Sequence, residues 1–204
     1  MGAATNGVAV VALLVVHNLL TNLWAKDRWY VPANLATAGV LVALGGRVPV
    51  VGRPLDGIAA ALMVLAAVGL VAVAPAARPV LADRRMEGVD ARGTAWRALV
   101  RIPLGTVVLE EVAFRGVLPT LVSPLASCAL FGLWHVLPAA RTLEVNGLRR
   151  SAAALLGVVA VTAMVGGALW ELRQATGGVL APALVHVAAN SGATAAAYWA
   201  LRAP

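Results

Sequence analysis

The chain has 204 residues, of which 61% are hydrophobic and 12% are charged, and its mean hydropathy is +0.86. Soluble domains carry about 25% charged residues, so this composition excludes an ordinary soluble protein and indicates a polytopic membrane protein. The net charge of +7 would suit nucleic acid. However, the arginines are scattered over short connectors and form no dense basic face with interleaved aromatic residues, so nucleic acid is not an expected partner.

The N-terminal half predicts three apolar spans. Residues 7–24 form the first, and no basic region or small-residue cleavage site flanks them, so a retained span is expected rather than a signal peptide. The second, residues 33–51, is interrupted by glycine and proline and is expected to be tilted or incomplete. Residues 55–77 form the third. A charged and aromatic border at headgroup depth is predicted after the first span and comprises Trp24, Lys26, Asp27, Arg28, Trp29 and Tyr30.

The C-terminal half predicts four further spans behind a polar connector. The connector, residues 78–101, alternates arginine with acidic and small residues and is expected to end in a short helix on the membrane surface. Ser123 and Pro124 leave room only for a tight antiparallel hairpin, so the spans on either side are neighbours. The four spans are predicted at 102–122, 124–140 and 151–170, and from a Thr-Gly-Gly turn at 176–178 to about Trp199. The predicted fold class is an all-α bundle of about seven transmembrane helices.

Basic residues are distributed unequally over the two ends of these spans. With seven spans, twelve lysines and arginines fall on one side of the membrane and three on the other. Cytoplasmic loops carry the excess of basic residues. We therefore expect an integral, multi-pass protein of the plasma membrane with its N-terminus outside and its C-terminus in the cytoplasm.

Four ionisable side chains interrupt the apolar sequence after the connector: Glu110, Glu111, Arg115 and His135. A charged group at the bilayer centre costs from about 3 to more than 10 kcal/mol, so such groups face a protein interior or a wet cavity. On a helix, Glu111 and Arg115 share a face and can form an ion pair. Glu110 points about 100° away and suits a general base. The alternative is that both glutamates serve only a buried salt-bridge network.

Further polar residues lie in other spans. His186 and Asn190 are four residues apart and share one helix face. A carboxylate that activates water, imidazoles that orient it and an amide that holds an oxyanion would together suffice to hydrolyse a peptide bond without a covalent nucleophile. His17 has no titratable neighbour in its span and is expected to be a packing or interface group.

Three motifs resemble those of the CPBP family, the CAAX-protease and bacteriocin-processing membrane endopeptidases, also called the Abi family. They are Glu110-Glu111-x-x-x-Arg115, Phe131-x-x-x-His135 and His186-x-x-x-Asn190, in the order and with the residue types of the family. The resemblance covers about residues 90–200. It implies an all-helical fold with a polar intramembrane catalytic cavity, an N-terminal part of transmembrane helices and connector at 1–90, and a catalytic core at 91–204.

The resemblance also implies roles for individual residues. Glu110 would activate the hydrolytic water with help from His135, while His186 and Asn190 would stabilise the oxyanion. Glu111 and Arg115 would hold the cavity together. The substrate would be a peptide or membrane protein, and the bilayer the other partner. The alternative is a non-catalytic scaffold or immunity protein that uses the same polar network.

Two neighbouring aromatic residues and the metal question complete these expectations. Phe131 is expected to pack one turn from His135 and fix its ring, and Trp134 is expected to face lipid. Zinc could be held by Glu110, His135 and His186. Because the sequence has no HExxH spacing, a mechanism without metal or another cofactor is the favoured expectation and zinc the alternative.

Overall fold

The computed structural model describes residues 3–24, 27–45 and 47–203. Over these ranges the chain is predominantly helical and contains no strand. Lys26, predicted at the headgroup border, lies outside them. The α-helices are α1 (Ala3–Leu23), α2 (Asp27–Gly45), α3 (Pro54–Val73), α4 (Arg78–Leu81), α5 (Ala91–Trp96), α6 (Val108–Glu111), α7 (Leu118–Leu121), α8 (Pro124–Trp134), α9 (Val136–Val145), α10 (Ala152–Thr176) and α11 (Leu180–Ala200).

The outside of the bundle is apolar and the inside is partly polar. Large hydrophobic side chains on α3 and α10, such as Leu62, Leu70 and Met164, are well exposed, whereas two glutamates, an arginine and two histidines are buried. This inversion fits a protein whose solvent is lipid. By length and hydropathy, the described helices that could each cross a membrane are Asn6–Leu23, Pro54–Val73 and Ala152–Thr176. The structure is an all-α membrane bundle, and the count of seven spans stays a prediction.

One unbroken helical path connects the connector to the first motif. It begins at Ala91, where the Asp90 side chain accepts a hydrogen bond from the backbone of Gly93, and it ends at Leu121. Two parts of it, Arg97–Val107 and Val112–Val117, are π-helical. The expected separate surface helix before residue 102 is therefore wrong, because α5 continues directly into the span. Wider π turns are rare and occur mainly at functional sites.

The predicted fifth span, 124–140, is divided in two. Helix α8 begins at Pro124 behind Ser123, whose side chain accepts from the backbone of Ala126, and it ends at Trp134. His135 follows in a turn, and α9 then starts at Val136. The tight hairpin with α7 is confirmed, and Ser127 secures it by donating to the carbonyl of Phe114 at 2.8 Å.

The end of α2 is joined to the start of α11 by backbone hydrogen bonds. Residues 47–53, between α2 and α3, have no regular secondary structure and bend at Gly52. The carbonyls of Pro49 and Val50 accept from the amides of Val179 and Leu180, and the amide of Arg53 donates to Thr176. We call this pairing of 49–53 with 176–180 the clasp. It fixes α11, the helix that carries His186, against the N-terminal helices.

Small residues let the helices pack closely. A Cβ atom at Gly57 of α3 would lie 2.6 Å from the Cα of Ala181 in α11, and one at Gly132 of α8 would lie 2.5 Å from the carbonyl oxygen of Val159 in α10. Close backbone approach of this kind is the usual basis of helix association in lipid. The apolar core lies between α1, α2 and the 108–118 segment, around Leu109.

Candidate active site

The charged centre of the bundle is built on Glu111. Its Oε1 lies 3.2 Å from Nη1 of Arg115 and accepts a hydrogen bond of 2.8 Å from Nδ1 of His186. All three residues are buried, with Arg115 only 1% exposed. The i, i+4 ion pair predicted from the sequence is thus present, and it is joined to a histidine from α11.

Glu110 occupies the other side of His186. Its Oε2 lies 3.5 Å from Nε2 of His186, and its Oε1 accepts a hydrogen bond of 2.9 Å from Nε1 of Trp134. The expectation that Trp134 faces lipid is therefore wrong. Because α8 ends at Trp134, the indole turns inward and holds one oxygen of the carboxylate.

The cluster is almost completely shielded from solvent. Glu110, Glu111, Arg115 and His186 are each 6% exposed or less, so their charges have to be compensated within the cluster. Oε2 of Glu110 is buried without a hydrogen-bond partner among the described residues, and Nε2 of His186 lies 3.5 Å from it.

Phe131 is the apolar spacer between the polar groups. Its ring lies edge-on to His135, with centroids 4.7 Å apart, and edge-on to His186 at 6.0 Å. The guanidinium of Arg115 lies 4.0 Å from the ring centroid, a cation–π distance. The structure places Phe131 against His135 as the sequence predicted, and it adds the contacts to the other two motifs.

His135 is orientated by its own helix. Its Nδ1 lies 2.7 Å from the carbonyl oxygen of Phe131. A carbonyl only accepts, so Nδ1 carries the hydrogen and Nε2 of the neutral ring is left as an acceptor. The turn that ends α8 thereby fixes the tautomer that a water-orienting histidine requires.

A cavity of about 900 Å³ joins these residues to the surface. Glu110, His135 and Asn190 line it, whereas His186 and Glu111 lie behind Glu110. The side-chain amide of Asn190 makes no hydrogen bond with another described residue, so it is available to a ligand in the cavity. Each of the three motifs therefore contributes a residue to the lining of the same cavity.

Residues of α1 and α2 also line or support the cavity, and the sequence analysis did not place them there. Tyr30, predicted at the headgroup border, lines the cavity and its hydroxyl lies 3.0 Å from Oγ1 of Thr106. His17 packs as predicted, 3.2 Å from Oδ1 of Asn34, and its ring stacks on Trp134 at 6.3 Å between centroids. Asn18 donates to the carbonyl of Trp134 at 3.0 Å. Regular spacing of polar residues along α1 was the available signal.

Zinc would have to be held by Glu110, His135 and His186. Among the described residues, no group of three His, Cys, Asp or Glu side chains is placed to share a metal ion. Oε2 of Glu110 and Nε2 of His186 lie 3.5 Å apart, but His135 is not grouped with them as a third ligand. The mechanism proposed below is therefore written without a metal.

An all-α membrane bundle with a buried carboxylate–histidine cluster beside a polar cavity defines the class of this protein. Residues 92–192, about half of the chain, match the family model described as type II CAAX prenyl endopeptidase, Rce1-like. The match covers the region that holds all three motifs, and it confirms the resemblance seen in them. Comparison with the curated proteins and with solved structures gave no match. The family supports a CAAX-type intramembrane protease fold.

Proposed function

We propose that the protein is an intramembrane endopeptidase that hydrolyses a peptide bond with a glutamate-activated water. The observation that carries the proposal is that Glu110, His135 and Asn190 line one cavity, with Nε2 of His186 3.5 Å from Oε2 of Glu110. A scaffold has no need of a cavity that leads to its polar network. The core at 91–204 supplies the chemistry, and residues 1–90 contribute further residues to the lining.

Water activation falls to Glu110 and His135. The carboxylate of Glu110, held by Trp134, accepts a proton from a water whose other hydrogen is donated to Nε2 of His135. The oxygen of this water adds to the carbonyl carbon of the scissile peptide bond. A tetrahedral intermediate forms, and its negative charge develops on the former carbonyl oxygen.

Stabilisation of that oxyanion falls to Asn190 and His186. The amide of Asn190 donates from the cavity lining, and the imidazole of His186, 3.5 Å from Oε2 of Glu110, is the second group that the family resemblance assigns to this role. Glu110 then gives its new proton to the leaving nitrogen, the C–N bond breaks, and a carboxylic acid and an amine result. Glu111 and Arg115 hold His186 in place throughout.

Access to the cavity comes from the basic side of the membrane. Its lining includes Arg85, Arg97, Arg101 and Arg141, which belong to the larger of the two sets of basic residues. Under the positive-inside rule this side is cytoplasmic. We therefore assign the protein to the plasma membrane as a multi-pass enzyme whose substrates, peptides or membrane proteins, enter from the cytoplasm.

Cleavage by purified protein tests the proposal. Detergent-solubilised wild type and Glu110→Gln would be given a prenylated peptide ending in a CAAX motif, with products identified by mass spectrometry. We expect cleavage by the wild type and a loss of at least about a hundredfold in the variant, since an amide does not accept the proton. Arg149→Gln, a change at an exposed loop residue, is the control. Equal cleavage by wild type and Glu110→Gln would refute the mechanism.

A further inference from the structure

The mouth of the cavity is positively charged. Four arginines line it, namely Arg85, Arg97, Arg101 and Arg141, and the acidic residues beside them are Asp27 and Asp83. The mechanism above uses none of these residues. The surplus of positive charge lies on the path that a substrate must take to Glu110.

Two of the four arginines are already engaged. Arg85 contacts Asp83 through both Nε and Nη2, at 2.8 and 2.5 Å from Oδ2. Burial alone would raise the pKa of Asp83, but hydrogen bonds from Arg85 and Asn146 hold that pKa below its usual value, so Asp83 is ionised and neutralises Arg85. Arg141 donates to the backbone carbonyl of Asn22 at 2.7 Å and braces the end of α1.

Arg97 and Arg101 keep most of their charge uncompensated. Arg97 donates to neutral acceptors, the carbonyl of Arg85 at 3.1 Å and the sulfur of Met86 at 3.4 Å. The guanidinium of Arg101 lies 3.8 Å from the centroid of the Tyr30 ring. Its acidic neighbour Asp27 is 3.7 Å away and 88% exposed, and an ion pair so well solvated contributes little.

These two arginines lie in line with the candidate catalytic carboxylate. Arg97, Arg101, Thr106 and Glu110 follow one another at intervals of four, five and four residues, and all four line the cavity. The π-helical turn at Arg97–Val107 makes the interval of five compatible with a single face. The result is a polar stripe that leads from two guanidinium groups to Glu110.

We propose that Arg97 and Arg101 form a subsite for a carboxylate of the peptide substrate, which deepens the proposed function. Guanidinium groups match carboxylates with charged, paired hydrogen bonds. Glu110 follows Arg101 by nine positions, at most about 14 Å along the helix. An extended peptide covers this distance in about four residues. The subsite therefore selects substrates whose carboxylate lies about four residues from the bond that is cut.

The carboxylate has two sources, the C-terminus of the peptide or an acidic side chain, and the guanidinium chemistry is the same for both. An anionic lipid headgroup is a weaker fit. Both arginines lie on the wall of a cavity that continues to Glu110, whereas headgroups gather at the outer surface of the bundle. Lipid binding is kept as an outcome of the test.

Paired peptides provide the test. One prenylated peptide would carry a free C-terminal carboxylate four residues beyond the scissile bond, a second would be its C-terminal amide, and a third would be the amide with an acidic side chain at the same distance. The enzymes would be wild type, Arg101→Gln, Arg97→Gln and Arg101→Lys. Arg92→Gln is the matched control, because Arg92 is an exposed arginine of the same helical path that does not line the cavity.

We expect Arg101→Gln to raise KM for the free acid about ten- to a hundredfold with kcat nearly unchanged, the worth of one charge-assisted hydrogen bond. The amide should be bound weakly by wild type and be insensitive to this substitution. Arg101→Lys should recover part of the affinity, and Arg92→Gln should have no effect. If the amide that carries an acidic side chain binds as tightly as the free acid, the subsite accepts any carboxylate. If it binds as weakly as the plain amide, the subsite accepts only the C-terminal carboxylate.

Three outcomes would contradict the proposed subsite. The first is an equal KM for the free acid and the amide, and the second is an equal effect of Arg101→Gln on both peptides. The third is a loss of activity in Arg101→Gln that anionic lipid reverses for every peptide. Peptide binding to the Glu110→Gln variant separates this inference from the proposed function. A carboxylate preference that persists there and is lost on Arg101→Gln supports the subsite even if wild type cleaves nothing, and its absence refutes the subsite.

Discussion

The substitutions Glu110→Gln and Glu111→Gln should have different effects on the stability and activity of the protein. In Glu111→Gln, the guanidinium of Arg115 loses its ion-pair partner at 3.2 Å while it stays buried. In Glu110→Gln, the new amide oxygen still accepts from Trp134, and its NH₂ group can donate toward Nε2 of His186. The first substitution leaves a buried charge uncompensated and the second does not.

The magnitudes follow from these contacts. Breaking a buried ion pair by removing one partner costs about 3–5 kcal/mol. The glutamine at position 111 can still accept from Nδ1 of His186, so we take the lower end, about 3 kcal/mol, which is about 6–12 °C in Tm for a chain of this size. Glu110→Gln should cost about 1 kcal/mol or less. The double change Glu111→Gln with Arg115→Met should recover part of the loss, because it removes both charges.

Melting temperatures and peptide cleavage would be measured for the three variants in one detergent. We expect Glu110→Gln to be stable and inactive, Glu111→Gln to be unstable, and the double variant to be more stable than Glu111→Gln. A Glu110→Gln protein that melts well below Glu111→Gln would show that the two roles are reversed. No rescue by Arg115→Met would show that the ion pair is not the source of the instability.

Three further predictions concern the support of the site, metal and topology. Trp134→Phe should lower kcat about ten- to a hundredfold with KM little changed, because the hydrogen bond to Glu110 is lost while an aromatic ring is kept beside His17 and Phe114; steady-state kinetics would show it, and an effect confined to KM would contradict it. Activity should persist after exhaustive chelation, and loss with restoration by stoichiometric zinc would overturn this. A reporter active only in the cytoplasm should work when fused after Arg202 and fail before Gly7, whereas signal at both ends would mean an even number of spans.

Local spacing predicted the charged centre because the interactions there are themselves local. Glu111 and Arg115 share one helix face, and that pair is present. Phe131 and His135 stand one turn apart in sequence and in space. The joining of His186 to Glu111 depends on how α11 packs, which no spacing within α11 specifies.

Changes in helix geometry explain what the sequence did not show. Trp134 was expected to face lipid, but α8 ends at Trp134 and its indole donates to Glu110. Tyr30 was predicted at headgroup depth, and the structure adds that it lies in α2 and lines the cavity. Apolar patterning gives the depth of a residue in the membrane more readily than the direction in which it points.

The clasp determines which substitutions outside the candidate active site would change the position of His186. Its hydrogen bonds join backbone atoms, so the side chains of Val50 and Val179 can change while the start of α11, and with it the height of His186, is preserved. Glycine is favoured at three places in the clasp. Gly52 has φ +56°, and a Cβ there would lie 2.3 Å from the carbonyl oxygen of Thr176, while one at Gly178 would lie 2.6 Å from that of Val50. Gly177 has φ +80°. Substitutions at these glycines should therefore displace the start of α11 and disturb His186, although Gly52 and Gly178 lie in the clasp and not in the site.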